Sequence, residues 1–337
     1  MAGSSASPDP QGLSRRAFLA GTTAAAGMAL RTGLSVLAGQ APEPTTRDAE
    51  NAANPTGPVV VEARSENVVD GRAVHQSLLR EMLDWCLGTL TKTSGSREAW
   101  RRLLKPDDVV GLKFNSSGAE EIGTTPAMAE ALVASLVDAG WATGNIVLIE
   151  APESTYEELK VTRPAPGWAA EDVDFGSGRD RLASILDQVT ALVNVPFLKT
   201  HNIAGITACL KNLSHAMVKH PARYHANHCS PYIGDIVALP QIRNKLRIHI
   251  INALRIVFDG GPEARDDLIW QSGTLLAGFD PVGVDTVGLE LLNCTRRKLR
   301  LGYVDENRAR VAYLEAAAKR GLGCALLYEV RQVKRLF

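Results

Sequence analysis

Apolar positions begin to repeat at Val59-Val60-Val61, and from there short apolar runs alternate with helical spacings to the end of the chain. Residues 74–90 carry apolar side chains at helical intervals, and SREAWRRLL (96–104) predicts a second, shorter helix. The turn Lys105-Pro106-Asp107-Asp108 precedes VVGLKF (109–114), a run apolar enough for a buried strand. Thr125-Pro126 supplies a cap and a first-turn proline for a helix reaching Gly140. NIVLIE (145–150) reads as a strand, 151–179 as an irregular Pro/Gly/Glu-rich excursion, RLASILDQ (181–188) as a helix and ALVNVPFL (191–198) as a strand. The remainder predicts a helix over 203–218, a strand pair or one long strand over 246–259 and a strand over 274–280. Helices follow over 281–293 and 306–319, and ALLYEV (325–330) reads as a last strand. Strands alternating with helices predict an α/β fold: a mostly parallel sheet with helices on both faces and the site at the strand carboxyl ends.

Before Val59 the pattern is different. SRRAFLA (14–20) carries the twin-arginine export arrangement, and a weakly apolar Ala/Gly/Thr/Leu stretch follows from Ala20 to Ala38. That stretch is too short and too rich in Gly and Ala for a spanning helix, so 1–38 reads as a signal segment with small residues for cleavage near Ala38. Residues 39–58 read as a Pro-, Ala- and Asn-rich tether, and 59–337 as a single α/β domain. The expected location is periplasmic, or otherwise outside the cytoplasm by the twin-arginine route. The translocation machinery is then a partner, and no membrane span remains after signal removal. Because that route moves folded proteins, it favours a bound metal or organic cofactor.

Composition narrows the classes further. The 337 residues hold 37 Lys+Arg against 37 Asp+Glu, and this charge balance argues against a nucleic-acid binder. No phosphate loop is present, and GSGRD (176–180) lacks the third glycine of a dinucleotide fingerprint, so a Rossmann cofactor is disfavoured.

The residues just past each predicted strand carry the candidate chemistry. They are Lys113 and Asn115, then Glu150, then Lys199 and His201, then Asp259, then Asp280. Asn and Asp are common turn formers, so Lys199 and His201 carry most of the argument. Lys113, Lys199 and Lys211 would supply positive potential for a carboxylate or phosphate, and His201 a general acid/base. Asp259, Asp280 or Asp285 would orient the histidine or bind a cation. His201, Lys199, Lys211 and Asp280 are therefore the catalytic candidates; Lys113, Asn115, Glu150, Asn212 and Asp259 are the substrate-binding ones.

Five histidines fall within 201–228, and HPARYHANHC (220–229) could close on a metal ion. His215, His220, His225 and His228 are the candidate ligands, with Cys229 adjacent; His215 shares a helix face with Lys211 and Thr207. The alternative is a loop whose histidines bond carbonyls or face water. Cysteines 86, 209, 229, 294 and 324 form no CxxC, so no iron–sulfur motif is present.

KPDDVVGLKFN, TTPAMAEALVASLVDAGWATGNIVLIE, LVNVPFLKTHNIAGITACLKNLSH, DGGP and GFDPVGVDTVGLELL occur in this order. That series resembles the domain-of-unknown-function 362 family over about residues 59–295. The resemblance implies an exported protein; many members carry ferredoxin-type cysteine motifs, which this chain lacks. A looser similarity extends to the nickel-pincer lactate racemase family, where a His, a glycine-rich turn and a Lys follow a strand as His201, Gly205 and Lys211 do here. The resulting expectation is an exported enzyme acting on a small anionic molecule with a bound metal or metal-containing cofactor. The alternatives are a periplasmic ligand-binding or cofactor-carrier protein, and a redox subunit relying on a partner's iron–sulfur clusters.

Overall fold

A computed structural model describes residues 57–337. The expected signal segment and nearly all of the tether lie outside the described residues. The last two tether positions, Gly57 and Pro58, belong to the fold: the Arg331 amide donates to the Pro58 carbonyl at 2.9 Å.

The fold is α/β, built on a nine-stranded mixed sheet. Its strands are β1 (Val59–Arg64), β2 (Val110–Lys113), β3 (Ile146–Ile149), β4 (Ala191–Asn194), β5 (Phe197–His201), β6 (Gly205–Thr207), β7 (Leu246–Val257), β8 (Ile269–Gly278) and β9 (Arg331–Leu336). Seven run in the order β9-β1-β8-β7-β4-β2-β3, while β5 lies beside the second half of β7 and β6 folds back on β5. Only β6 and β8 run against the others. The carboxyl ends of β2, β3, β5 and β7 therefore share one edge, the edge where parallel sheets bind ligands.

Side chains alternate between two apolar layers. On β7, Ile250 faces one and Ile251 the other. One layer is covered by α1 (Gln76–Thr91), α2 (Ser96–Leu103) and α3 (Thr125–Ala139). Helix α1 buries Leu79, Met82, Leu83, Cys86 and Leu87, the spacing of one helical face; each fully buried large side chain stabilises by about 1.5–3 kcal/mol. The other layer is covered by α4 (Cys209–Ser214), α5 (Tyr232–Val237), α6 (Pro281–Lys298) and α7 (Ala312–Lys319).

Four elements differ from the sequence expectation. RLASILDQ splits into the end of a strand, Arg179–Ala183, and a single helical turn, Ile185–Gln188; the strand pairs with Trp168–Asp174 inside the supposed irregular excursion. The expected helix over 203–218 opens as β6, because Gly205 at φ 71° reverses the chain onto β5, and only then becomes α4. ALVNVPFL is broken at Val195-Pro196 into β4 and β5. The last strand is the charged RQVKRL rather than ALLYEV; as an edge strand it keeps its polar residues outward, which hides the alternation.

Candidate functional site

Residues i and i+2 of a strand share a face, so Lys199 and His201 project together from the end of β5. The β5–β6 hairpin pairs Thr207 with Lys199 and leads directly into α4, which carries Lys211. The chain then loops through Pro221–Cys229 and returns over the same place. His225 reaches Lys211, with Nε2 3.3 Å from Nζ. Its ring stacks on His201 at 5.7 Å between centroids and meets His215 edge-on at 4.5 Å. At the end of this loop Asn227, His228 and Cys229 hold φ values of 49°, 52° and 64°. Left-handed backbone is costly for His and Cys, and here it turns the Cys229 thiol inward.

Hydrogen-bond partners fix the proton positions. The His201 Nδ1 accepts from the Ile203 and Ala204 amides, both at 3.1 Å, so the neutral ring carries its proton on Nε2. Burial, with Lys211, His225 and Lys199 nearby, pushes its pKa down to about 3. His201 is thus a neutral hydrogen-bond donor at physiological pH, and the nitrogen that could act as a base is already occupied. The His225 Nδ1 donates to the Pro221 carbonyl at 3.1 Å, which leaves Nε2 as a lone pair facing Lys211. His215 is fully engaged: Nε2 donates to the Tyr224 carbonyl at 3.2 Å and Nδ1 takes the Ser214 hydroxyl at 3.0 Å. Burial also lowers His215, to about 2.

Both lysines are buried, and neither forms an ion pair among the described residues. Lys199 donates to the Ser117 carbonyl and lies over the Phe197 ring; Lys211 donates to His225 and lies close to the Cys229 thiol. Burial brings each down to about 8; at Lys199 the Glu263 carboxylate opposes this shift and Lys211 adds to it.

A second buried network lies behind Lys211. Lys113, with no exposed surface, donates to Glu150 at 3.1 Å, to Asn212 at 2.8 Å and to the Phe114 carbonyl. Asn212 donates to the Lys113 carbonyl and to Asn194, and Asn194 in turn donates to the Cys209 carbonyl and meets His249. Burial lowers the Lys113 pKa, and the Glu150 carboxylate opposes that shift. Lys113, Glu150 and Asn212 thus bond one another and fix α4 to β2, β3 and β4, while the half-buried Glu150 carboxylate also accepts from the Ser116 amide. Asn194 and His249 are absent from the sequence-derived set; their signal is a polar residue inside an apolar strand run, as in ALVNV and RIHII.

The other sequence candidates are placed elsewhere. Asn115 clamps both backbone polar groups of Phe197. Asp259 pairs with Arg296 of α6 at 2.7 Å. Asp280 caps α6, accepting from Gly283 and Cys324, both at 2.8 Å. Burial raises its pKa to about 6. His220 is tied to Asp180 at 2.9 Å, and His228 donates to the Ile203 carbonyl at 3.0 Å. The expected convergence of Lys113, His201 and Asp280 is thus replaced by a tighter one of Lys199, His201, Lys211 and His225. Asp285 orients no histidine: from α6 it accepts the Cys209 amide at 2.6 Å and the Leu210 amide at 3.0 Å, holding the start of α4.

For a metal, the ligand atoms of His215, His225 and Cys229 lie within 4.8 Å of one another. The donor chemistry fits in part. His225 offers a lone pair that now accepts from Lys211, and Cys229 a thiol that burial raises and Lys211 lowers, while His215 already has two partners.

Residues 109–290, just over half of the chain, match the model of the family described as domain of unknown function (DUF362). No curated protein matches the chain.

Proposed function

Because the chain belongs to this family of unestablished reaction, we propose a function from the site itself: an exported enzyme that binds a small anionic molecule on Lys199, Lys211 and His201. The observation that carries this reading is a pair of buried ammonium groups, neither of them in an ion pair with a carboxylate among the described residues; Glu263 acts on Lys199 only from beyond ion-pair distance. A buried charge is stabilised only by a partner, and a carboxylate or phosphate is the partner missing from this set. The two ammonium groups would clamp the anion. The His201 Nε2–H would donate to an oxygen on which negative charge grows, a neutral electrophile rather than the base its position first suggests. The hairpin amides of Ile203 and Ala204 hold that ring in place, so no reorganisation is needed during reaction. His225 and Cys229 are the residues that would hold a metal or metal-containing cofactor, which when bound would polarise a substrate oxygen.

The test combines elemental analysis and intact mass spectrometry of protein taken from its native compartment with turnover assays on 2-hydroxy acids and phosphoesters. Turnover of one class, lost in Lys211→Met, supports an enzyme. Stoichiometric anion binding without turnover moves the reading to a periplasmic carrier. Failure of every anion to bind ends both.

A further inference from the structure

Cations bind where lone pairs converge, and three converge between the end of α4 and the loop Pro221–Cys229: the ligand atoms of His215, His225 and Cys229. Both rings are held in a tautomer that suits a metal. His225 donates its Nδ1–H to the Pro221 carbonyl at 3.1 Å, and His215 donates its Nε2–H to the Tyr224 carbonyl at 3.2 Å. A backbone carbonyl on one ring nitrogen is the usual support of a metal-bound histidine, and it leaves a lone pair on the other. The lone pair of His215 now takes the Ser214 hydroxyl, but that hydroxyl has a second acceptor within reach, the Lys211 carbonyl at 3.3 Å. Two imidazoles and a thiol form a borderline-soft set, suited to zinc rather than to magnesium or calcium. Two neighbours point the same way. The Tyr313 hydroxyl of α7 is fully buried, has no hydrogen-bond partner and lies close to Cys229. A thiolate is the acceptor that would satisfy it, and a metal-bound cysteine is a thiolate. The other neighbour is Lys211, whose Nζ lies 3.3 Å from the His225 Nε2 and close to the Cys229 thiol. An ammonium therefore already stands where these donors meet, and a second cation must displace it.

We propose that His215, His225 and Cys229 bind Zn2+ by cation exchange, the metal taking the donors that Lys211 now faces and releasing its ammonium for the anion. Cys229 gives its thiol proton to water as the zinc–sulfur bond forms, and the Tyr313 hydroxyl donates to the resulting thiolate. Three protein ligands leave a fourth position open, the arrangement of a reactive zinc rather than a purely structural one. The inference deepens the function proposed above and rests on it only for the fate of the released ammonium.

Co2+, a spectroscopic stand-in for Zn2+, titrated into the chelator-stripped full chain should fill a saturable site with tetrahedral visible bands and a thiolate-to-metal band, and Zn2+ should displace it. Cys229→Ser should lose the thiolate band and, like His225→Ala, weaken affinity by about a hundredfold; Tyr313→Phe should weaken it by about tenfold. Lys211→Met removes the competing ammonium and should bind Co2+ about tenfold more tightly, a gain that a chance pairing of histidine and cysteine would not show. Circular dichroism confirms the fold of each variant. The inference is overturned if no saturable Co2+ site forms, if Cys229→Ser keeps the thiolate band, or if Tyr313→Phe or Lys211→Met binds the metal as the unaltered chain does. Phosphate titrated into the same samples separates the two readings. Phosphate that binds a chain without a Co2+ site sinks this inference alone, whereas a Co2+ site with the expected variant effects on a chain that binds no anion upholds the metal and ends the function proposed above.

Discussion

His201 and Lys211 show how much chemistry depends on which atom holds a proton. A histidine after a strand suggests a general base, but two backbone amides already occupy the Nδ1 lone pair of His201, leaving a donor. The two isosteric substitutions separate these roles. Asn at 201 keeps an acceptor near Nδ1 and loses the donor. Gln keeps a donor near Nε2 and loses the hairpin anchor. His201→Asn should reduce anion affinity by about 10–100-fold, the worth of a hydrogen bond to a charged group, with the melting temperature nearly unchanged. His201→Gln should retain more affinity and melt earlier. Calorimetry and thermal melts on the pair check both; the opposite ordering makes His201 a base after all. For Lys211 the expectation runs the other way. Lys211→Met conserves volume and removes a buried ammonium that has no carboxylate in an ion pair with it among the described residues, so the free protein should gain about 1–3 kcal/mol by urea titration while anion binding is lost. A loss of stability in that variant means that His225 and the Cys229 thiol already stabilise the ammonium.

At the scale of elements, the site is assembled where α4 starts. Asp285, deep in α6, reaches across to accept the first two amides of α4, and Asn212 ties the middle of α4 to β2 and β4. Asp285→Ala strips two buried N–H groups of their acceptor; it should cost about 2–5 kcal/mol and lower anion affinity along with it. A rigid α4 in that variant, seen as unchanged amide exchange over 209–214, would falsify this assignment. The sequence made the strands and long amphipathic helices legible, since β2, β3, α1 and α3 follow directly from apolar spacing. It also made legible which segment carries the candidate site, because Lys199, His201 and Lys211 are polar residues at apolar positions. Pairings between distant segments were not legible. DPVGVD reads as a helix start whichever partner its aspartates find. Asp280 and Asp285 are five residues apart, yet one caps its own helix and the other holds a different one. Likewise the four loop histidines are alike in sequence, and only the left-handed turn at Asn227–Cys229 decides that His225 faces inward while His228 bonds the Ile203 carbonyl.

For the whole molecule, these buried groups oppose one another in their pH dependence. His201 and His215 stay neutral in the folded state down to about 3 and about 2, whereas the unfolded chain protonates them near about 6.5, so their contribution is lost as pH falls below that value. Asp280 and Asp285 are raised to about 6 and about 7; the folded state holds protons that the unfolded chain releases near about 4, and their contribution is lost as pH rises through that window. Between about pH 4 and 6 the two pairs offset, and stability should be nearly flat. Below about 4 the aspartates are protonated in both states and only the histidine effect remains, so the protein should lose stability steeply. On the alkaline side lysines and thiols oppose one another. Lys199 and Lys211 lose their protons near about 8 when folded but only near about 10.4 when unfolded, so their contribution should rise with pH between those values by up to roughly 1.4 kcal/mol per pH unit for each fully shifted group. Burial raises the Cys86, Cys209 and Cys229 thiols, so the folded state keeps protons that the unfolded chain releases near about 8.5 and their contribution falls over the same range. A bound anion acts on the lysine part. By pairing with the ammonium groups it raises their folded pKa, so the lysine contribution should vanish at saturating ligand, and affinity itself should fall above about pH 8. Urea midpoints from pH 3 to 10, with and without phosphate or lactate, read all of this in one experiment. A Lys199→Met, Lys211→Met double variant whose alkaline profile matches that of the unaltered chain would assign that profile to other groups, and the proposed anion site would then lose its electrostatic basis.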